Sequence, residues 1–176
     1  MSATAIVRAP EPPGEIVGES EVLRRAVERA DKVALAECRV LLEGESGTGK
    51  ELFARRIHAR SRRADGPFVA INCSAIPPEL FESELFGHER GAFTGAGSER
   101  RGLFRQAGGG TLFLDDVPEL PEPLQAKLLR ALQEARVRPV GSDREVRVDA
   151  RVVAATHANL AWRTGTGEFR EDLYAR

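Results

Sequence analysis

Gly44-Glu45-Ser46-Gly47-Thr48-Gly49-Lys50 is the stretch whose reading decides the fold. It follows an apolar run, Val40-Leu41-Leu42, and precedes Leu52, Phe53, Arg56 and Ile57 at helical spacing. Strand, glycine-rich loop and helix in that order is the setting of a phosphate-binding loop. The glycines let consecutive backbone N–H groups turn inward around an anion, and the helix adds the positive end of its dipole. Lys50 then reaches the outer phosphates. The usual pattern places Ser or Thr after the lysine, whereas here Glu51 follows. The bland alternative is a glycine-rich strand-to-helix turn with no ligand.

Outward from the loop, apolar runs alternate with amphipathic stretches. Ser20 offers an N-cap to a helix with Val22, Leu23, Ala26, Val27, Ala30 and Val33 at helical spacing. The helix after the loop runs to about Arg60. Pro67 to Asn72 is predicted as a strand buried on both faces, followed by a short helix from Pro78 to Phe86. Thr111 to Leu114 is another buried strand, ending in Asp115-Asp116, and Pro121 opens a helix to about Glu134. Short strands flank a turn at Gly141-Ser142-Asp143, Arg151 to Thr156 is the last buried strand, and Gly167 to Arg176 reads as the start of a helix. Buried strands separated by helices predict an α/β fold: a mostly parallel sheet with helices on both faces. Residues 1–14, with three prolines, read as a disordered tail or linker, and 15–176 as the core domain.

Ligands of such sheets bind at the carboxyl ends of the strands. Four polar clusters fall there: the glycine-rich loop, Asn72, Asp115-Asp116 and Thr156. Asp115 is the candidate Mg²⁺ ligand, directly or through water, because that ion takes hard oxygen donors and keeps several waters. Asp116 points elsewhere and is the candidate for polarising an attacking water. Alternatively the two acids only start the turn before Pro118. Thr156 could bond a γ-phosphate or the water, and Asn72 could hold the acid at 116; a structural role is open for each. Gly91-Ala92-Phe93-Thr94-Gly95-Ala96 places one Phe among small residues, flanked by charge. Such a loop either meets a partner or folds its Phe back into the core.

With 176 residues, 41% hydrophobic and 30% charged, the chain is of globular type. A net charge of −1 suggests no nonspecific affinity for nucleic acid. No apolar run approaches the roughly 20 residues that span a bilayer, and the first residues have no signal-peptide core. Cys38 and Cys73 are the only cysteines and, like the scattered His58, His88 and His157, show no ligand spacing. Reduced thiols, no membrane association and a cytoplasmic location are expected.

Four segments together resemble the central domain of sigma-54-dependent transcription activators, bacterial enhancer-binding proteins of the AAA+ ATPase class. They are Gly44 to Glu51, Ser83-Glu84-Leu85-Phe86-Gly87-His88-Glu89, Gly91 to Ala96, and Gly109-Gly110-Thr111-Leu112-Phe113-Leu114-Asp115. The resemblance implies a P-loop NTPase three-layer sandwich that binds ATP and Mg²⁺. It assigns Gly44 to Glu51 to the Walker A loop, with Glu51 usual for the family, and Asp115 to Walker B. Asn72 matches a residue that restrains the Walker B acid, and Thr156 matches sensor I. The loop Gly91, Ala92, Phe93, Thr94, Gly95, Ala96 would engage sigma-54 RNA polymerase holoenzyme. Leu120 to Gln125 matches a second pore-side loop. Arg170 and Arg176 match arginine fingers that act on a neighbouring subunit, which implies a ring, typically a hexamer.

Two departures accompany the resemblance. Position 116 is Asp where the family usually has Glu, which implies slowed hydrolysis with retained binding. The family also continues past the position of Arg176 into a helical lid carrying sensor II. That lid is missing from these residues, the core is incomplete at its C-terminal end, and DNA would be reached only through domains absent here. The leading expectation is an ATPase that remodels the closed polymerase–promoter complex. The alternative is a nucleotide-binding interaction module with little or no hydrolysis.

Overall fold

The computed structural model of the chain describes Val7, Arg8, Gly14 and residues 16–176. The tail expected over residues 1–14 therefore falls mostly outside the described residues. Its described part includes β1, Val7–Arg8, which pairs antiparallel with Val69 and Phe68.

Five strands form the main sheet in the order β1, β3, β6, β9, β2. β2 is Val40–Glu43, β3 is Phe68–Asn72, β6 is Thr111–Asp115 and β9 is Arg151–Thr156. The last four run parallel, so their carboxyl ends share one edge. Alternation along the strands divides the side chains between two cores. Phe68, Phe113, Val153 and Ala155 face α1, Glu21–Ala34, and α2, Lys50–Ala59. Val69, Ile71, Leu112, Leu114 and Val152 face α3, Pro78–Phe86, α4, Leu103–Gln106, and α5, Glu122–Glu134. Three layers result, as the alternation of elements predicts. Phe68 and Phe113 stack with ring centroids 6.1 Å apart, and burying each contributes about 1.5–3 kcal/mol.

The helices begin and end where the chain supplies caps. Ser20 Oγ accepts from Leu23 N at 3.2 Å at the start of α1. At its other end the buried Arg151 guanidinium donates to the carbonyls of Val33, Ala34 and Cys38 at 2.8, 2.9 and 3.1 Å. The guanidinium thus ties β9 to the last turn of α1 and to the chain just beyond it. Pro121 precedes α5, and Ala135 in the left-handed conformation, φ 51°, ends it.

Two small antiparallel pairs stand outside the main sheet. β4, Gly87–His88, pairs with β5, Arg100–Arg101; β7, Arg136–Val137, pairs with β8, Val146–Arg147. The C-terminal part differs from expectation. α6, Leu160–Gly165, was not foreseen, and α7 is a single turn, Glu171–Tyr174. Asn159 caps α6 by accepting from Trp162 N at 3.0 Å, a start signal that the weak apolar spacing after it obscures.

Candidate functional site

The glycine-rich loop leaves the edge strand β2 and is pinned to the next strand, since Gly44 N donates to Thr156 O at 3.1 Å. Gly47 and Gly49 take φ of 78° and 82°, the left-handed region that favours glycine. Thr48 Oγ1 donates to Glu45 O at 2.7 Å. Lys50 opens α2, and its ammonium folds over its own loop, donating to Gly44 O and Glu45 O at 2.8 Å each. The Glu51 side chain pairs with Arg55 at 2.7 Å, one turn along α2. It is therefore engaged away from the loop. Beside the loop lies a cleft of about 800 Å³ between α1 and β2, lined in part by Arg25, Ala26, Arg29, Leu42, Gly44 and Lys50.

The acids stand two strands away on the same edge. Asp115 lies opposite Asn72 in the β3–β6 register. Burial and the neighbouring charge of Asp116 push the Asp115 carboxyl above its ordinary range, against the N–H of Asp116 and the charge of Lys50, which lower it. Asp116 adopts φ 54°, ψ 49°, an uncommon left-handed conformation for a residue with a side chain. Its Oδ1 lies 2.8 Å from His157 Nδ1. Thr156 is buried at the end of β9, and its Oγ1 donates to Ala158 O at 3.1 Å and accepts from Ala158 N at 2.9 Å.

The fold thus brings the loop, Asn72, Asp115, Asp116 and Thr156 to one edge. It does not join Asn72 to Asp116: Asn72 Oδ1 accepts from Ser74 N and Ser74 Oγ at 2.9 and 2.6 Å. The group on Asp116 is His157, which sequence reasoning left unassigned. Its one visible signal was its place directly after the strand-end Thr156.

Arg170 caps the start of α7, and its guanidinium grips Asp172 in a two-pronged pair at 3.0 and 2.7 Å. It does not contact Asp115 or Asp116 among the described hydrogen bonds. Its backbone N donates to the buried Gln125 Oε1 at 2.9 Å, while Gln125 Nε2 donates to Leu120 O at 3.0 Å and Glu168 O at 3.2 Å. Gln125 is a second residue that sequence reasoning did not single out as a linker. Arg176 is exposed.

The Gly91 to Ala96 loop is closed by Gly91 N to Ala96 O at 2.8 Å and Ala96 N to Phe93 O at 2.9 Å. Phe93 is 39% exposed and sets its ring against the edge of His88, with centroids 5.0 Å apart. It is neither free of the body nor part of the core. Behind it, His88 Nδ1 lies 2.6 Å from Ser83 Oγ, both residues buried. Within the stretch matched to a second pore-side loop, Leu120, Leu124 and Gln125 are buried while Glu122 and Pro123 are exposed. The segment beside the Phe93 loop is instead the turn between β7 and β8. There Val140 N donates to Gly87 O at 2.9 Å, Glu89 N to Val140 O at 3.0 Å, and Ser142 Oγ to Glu89 Oε1 at 2.6 Å.

Residues 16–176 match the Sigma-54 interaction domain. The chain is 56% identical over 161 residues to the transcriptional regulatory protein GlrR of Escherichia coli K12, covering 92% of this chain and 36% of that protein. It thus spans about a third of the length of the curated relatives it matches. NtrX from Brucella abortus, solved in complex with ATP, superposes with a TM-score of 0.85 at 41% identity, over 92% of this chain and 35% of that one. The P-loop NTPase domain of a sigma-54 transport activator from E. coli shares the fold, with a TM-score of 0.57 at 19% identity over 85% of this chain and 98% of that one.

Proposed function

The chain belongs to the Sigma-54 interaction domain family, and on that basis we propose that it binds and hydrolyses ATP to drive remodelling of sigma-54 RNA polymerase at a promoter. The observation that carries the reading is the shared edge. The loop, Asp115 and Thr156 end three strands that neighbour one another in space, and Gly44 N bonds Thr156 O directly.

In this reading the backbone N–H groups of Gly44 to Lys50 hold the phosphates, and Lys50 exchanges its two loop carbonyls for the outer phosphate oxygens. The adjacent cleft is of the size that takes a nucleoside. Asp115 and its waters hold Mg²⁺. The fit rests on the donor chemistry of Asp115, a hard carboxylate at a strand end whose charge burial and Asp116 disfavour and a cation would offset. The ion, when bound, neutralises charge on the phosphates. Asp116 orients the water and Thr156 donates to the γ-phosphate. Arg170 and Arg176 serve the site of a neighbouring copy in a ring, probed by the concentration dependence of turnover. The half-exposed Phe93 on its closed loop meets the sigma factor, in the cytoplasm. Asp116, one carbon shorter than Glu, favours a slow ATPase over a fast one, and an interaction module that binds without turnover is the second reading.

Nucleotide binding is tested by calorimetry with Mg·ATP on the chain and on Lys50→Ala. Removing the ammonium should weaken binding by about 10- to 100-fold, the range for hydrogen bonds to a charged group. Equal affinity for both proteins would contradict the assignment of the loop.

A further inference from the structure

We propose that His157 is a positioning residue that latches Asp116 and releases it when Thr156 takes a γ-phosphate. The proposal rests on the ATPase reading above and adds to it a route from sensing to catalysis.

The bond between His157 Nδ1 and Asp116 Oδ1, at 2.8 Å, engages one of the two carboxylate oxygens. Facing a carboxylate, Nδ1 is the donor. A carboxylate that accepts such a bond is a weaker acceptor for the proton of a water, so the latched acid is a poor base. Asn72 is turned to Ser74 and leaves that restraint to His157.

His157 sits in the middle of a turn that Thr156 closes. Thr156 Oγ1 donates to Ala158 O at 3.1 Å and receives Ala158 N at 2.9 Å. A hydroxyl has one hydrogen to give. Donating it to a phosphate oxygen means withdrawing it from Ala158 O, which loosens the turn. The backbone of Thr156 is fixed by the bond from Gly44 N to its carbonyl, 3.1 Å. The displacement therefore passes to the residues beyond the strand, and His157 comes first. Its side chain is 47% exposed and has room to swing. One hydroxyl thus chooses between holding the turn that holds the acid and reading the phosphate that the acid is to help hydrolyse.

The test is ¹⁵N NMR of the imidazoles in the full chain, with His157 identified by the signal lost in His157→Asn. Calorimetry on the same samples reports saturation. In the free chain and with Mg·ADP, His157 should show the Nδ1–H form, and Asp116→Ala should convert it to the ordinary Nε2–H mixture. Beryllium fluoride added with Mg·ADP mimics the γ-phosphate, and it should abolish the Nδ1–H signature. Thr156→Val should keep the signature under the same saturating analogue, and Thr156→Ser should restore its loss. A free chain without the Nδ1–H form, or a wild-type signature that survives saturation, overturns the latch. A chain that binds neither nucleotide instead overturns the ATPase reading and the release with it, while the Asp116→Ala comparison still decides the bond itself.

Discussion

Asp116 is where the residue-scale account is most exposed. Its carboxylate is one methylene shorter than that of the Glu which the family resemblance leads one to expect there, on a backbone already in the left-handed region. A reactive group misplaced by about 1 Å loses on the order of 10²-fold in rate. Asp116→Glu should therefore raise steady-state turnover, by roughly 10-fold or more, with little change in KM, in an ATPase assay against the parent chain; equal turnover contradicts a role for the missing carbon. Asp115, Asp116 and Thr156 were legible as strand-end candidates because each follows an apolar run, and strand ends in parallel sheets collect ligands. His157 was not legible. Its meeting with Asp116 depends on β6 and β9 lying side by side, and a sequence read in order does not reveal which strands are neighbours. Ser74, by contrast, claims Asn72 through a local turn between residues two apart, a pairing that the turn-forming tendency of Asn favours.

Among the elements, the loop and its flanking helices depend on a tie that is long-range in sequence. Asp31 near the end of α1 accepts a two-pronged bond from Arg56 of α2 at 2.7 and 2.8 Å, and Arg60 approaches at 3.1 Å. The hydrogen bonds from Arg56, then the charges of Arg56 and Arg60, hold the Asp31 carboxyl below its ordinary range, against burial. The sign follows from linkage: a depressed carboxyl stabilises the fold above its ordinary range, and that stability is lost as pH falls through the depressed value. The pair is partly exposed, so its worth is at most about 1 kcal/mol. Asp31→Asn should lower Tm by about 2–4 °C at pH 7. The difference should close as pH falls below the ordinary carboxylate range, measured by thermal unfolding across pH; a constant difference would assign the effect to packing. Most elements were legible because their apolar residues repeat at the period of a buried strand or an amphipathic helix. α6 was missed since Thr164 and Gly165 dilute its pattern, although Asn159 marked its start. The packing of α1 onto β9 through the buried Arg151 could not be read either, because an arginine in sequence signals surface.

At the scale of the molecule, the parallel strands send the glycine-rich loop, Asn72, Asp115, Asp116 and Thr156 to one edge, and the small strand pairs carry the Phe93 loop. β4 and the turn between β7 and β8 hold each other through Val140, Gly87 and Glu89. The three-layer architecture was legible from the alternation of elements; the order of strands came only with packing. The central claim is that this domain hydrolyses ATP with residues supplied by a neighbour. ATPase turnover per chain, measured over a wide range of protein concentration with Mg·ATP saturating, tests it most directly. Turnover per chain should rise steeply with concentration and then level off. Turnover that is independent of concentration, or saturable binding with no turnover at any concentration, would contradict the claim.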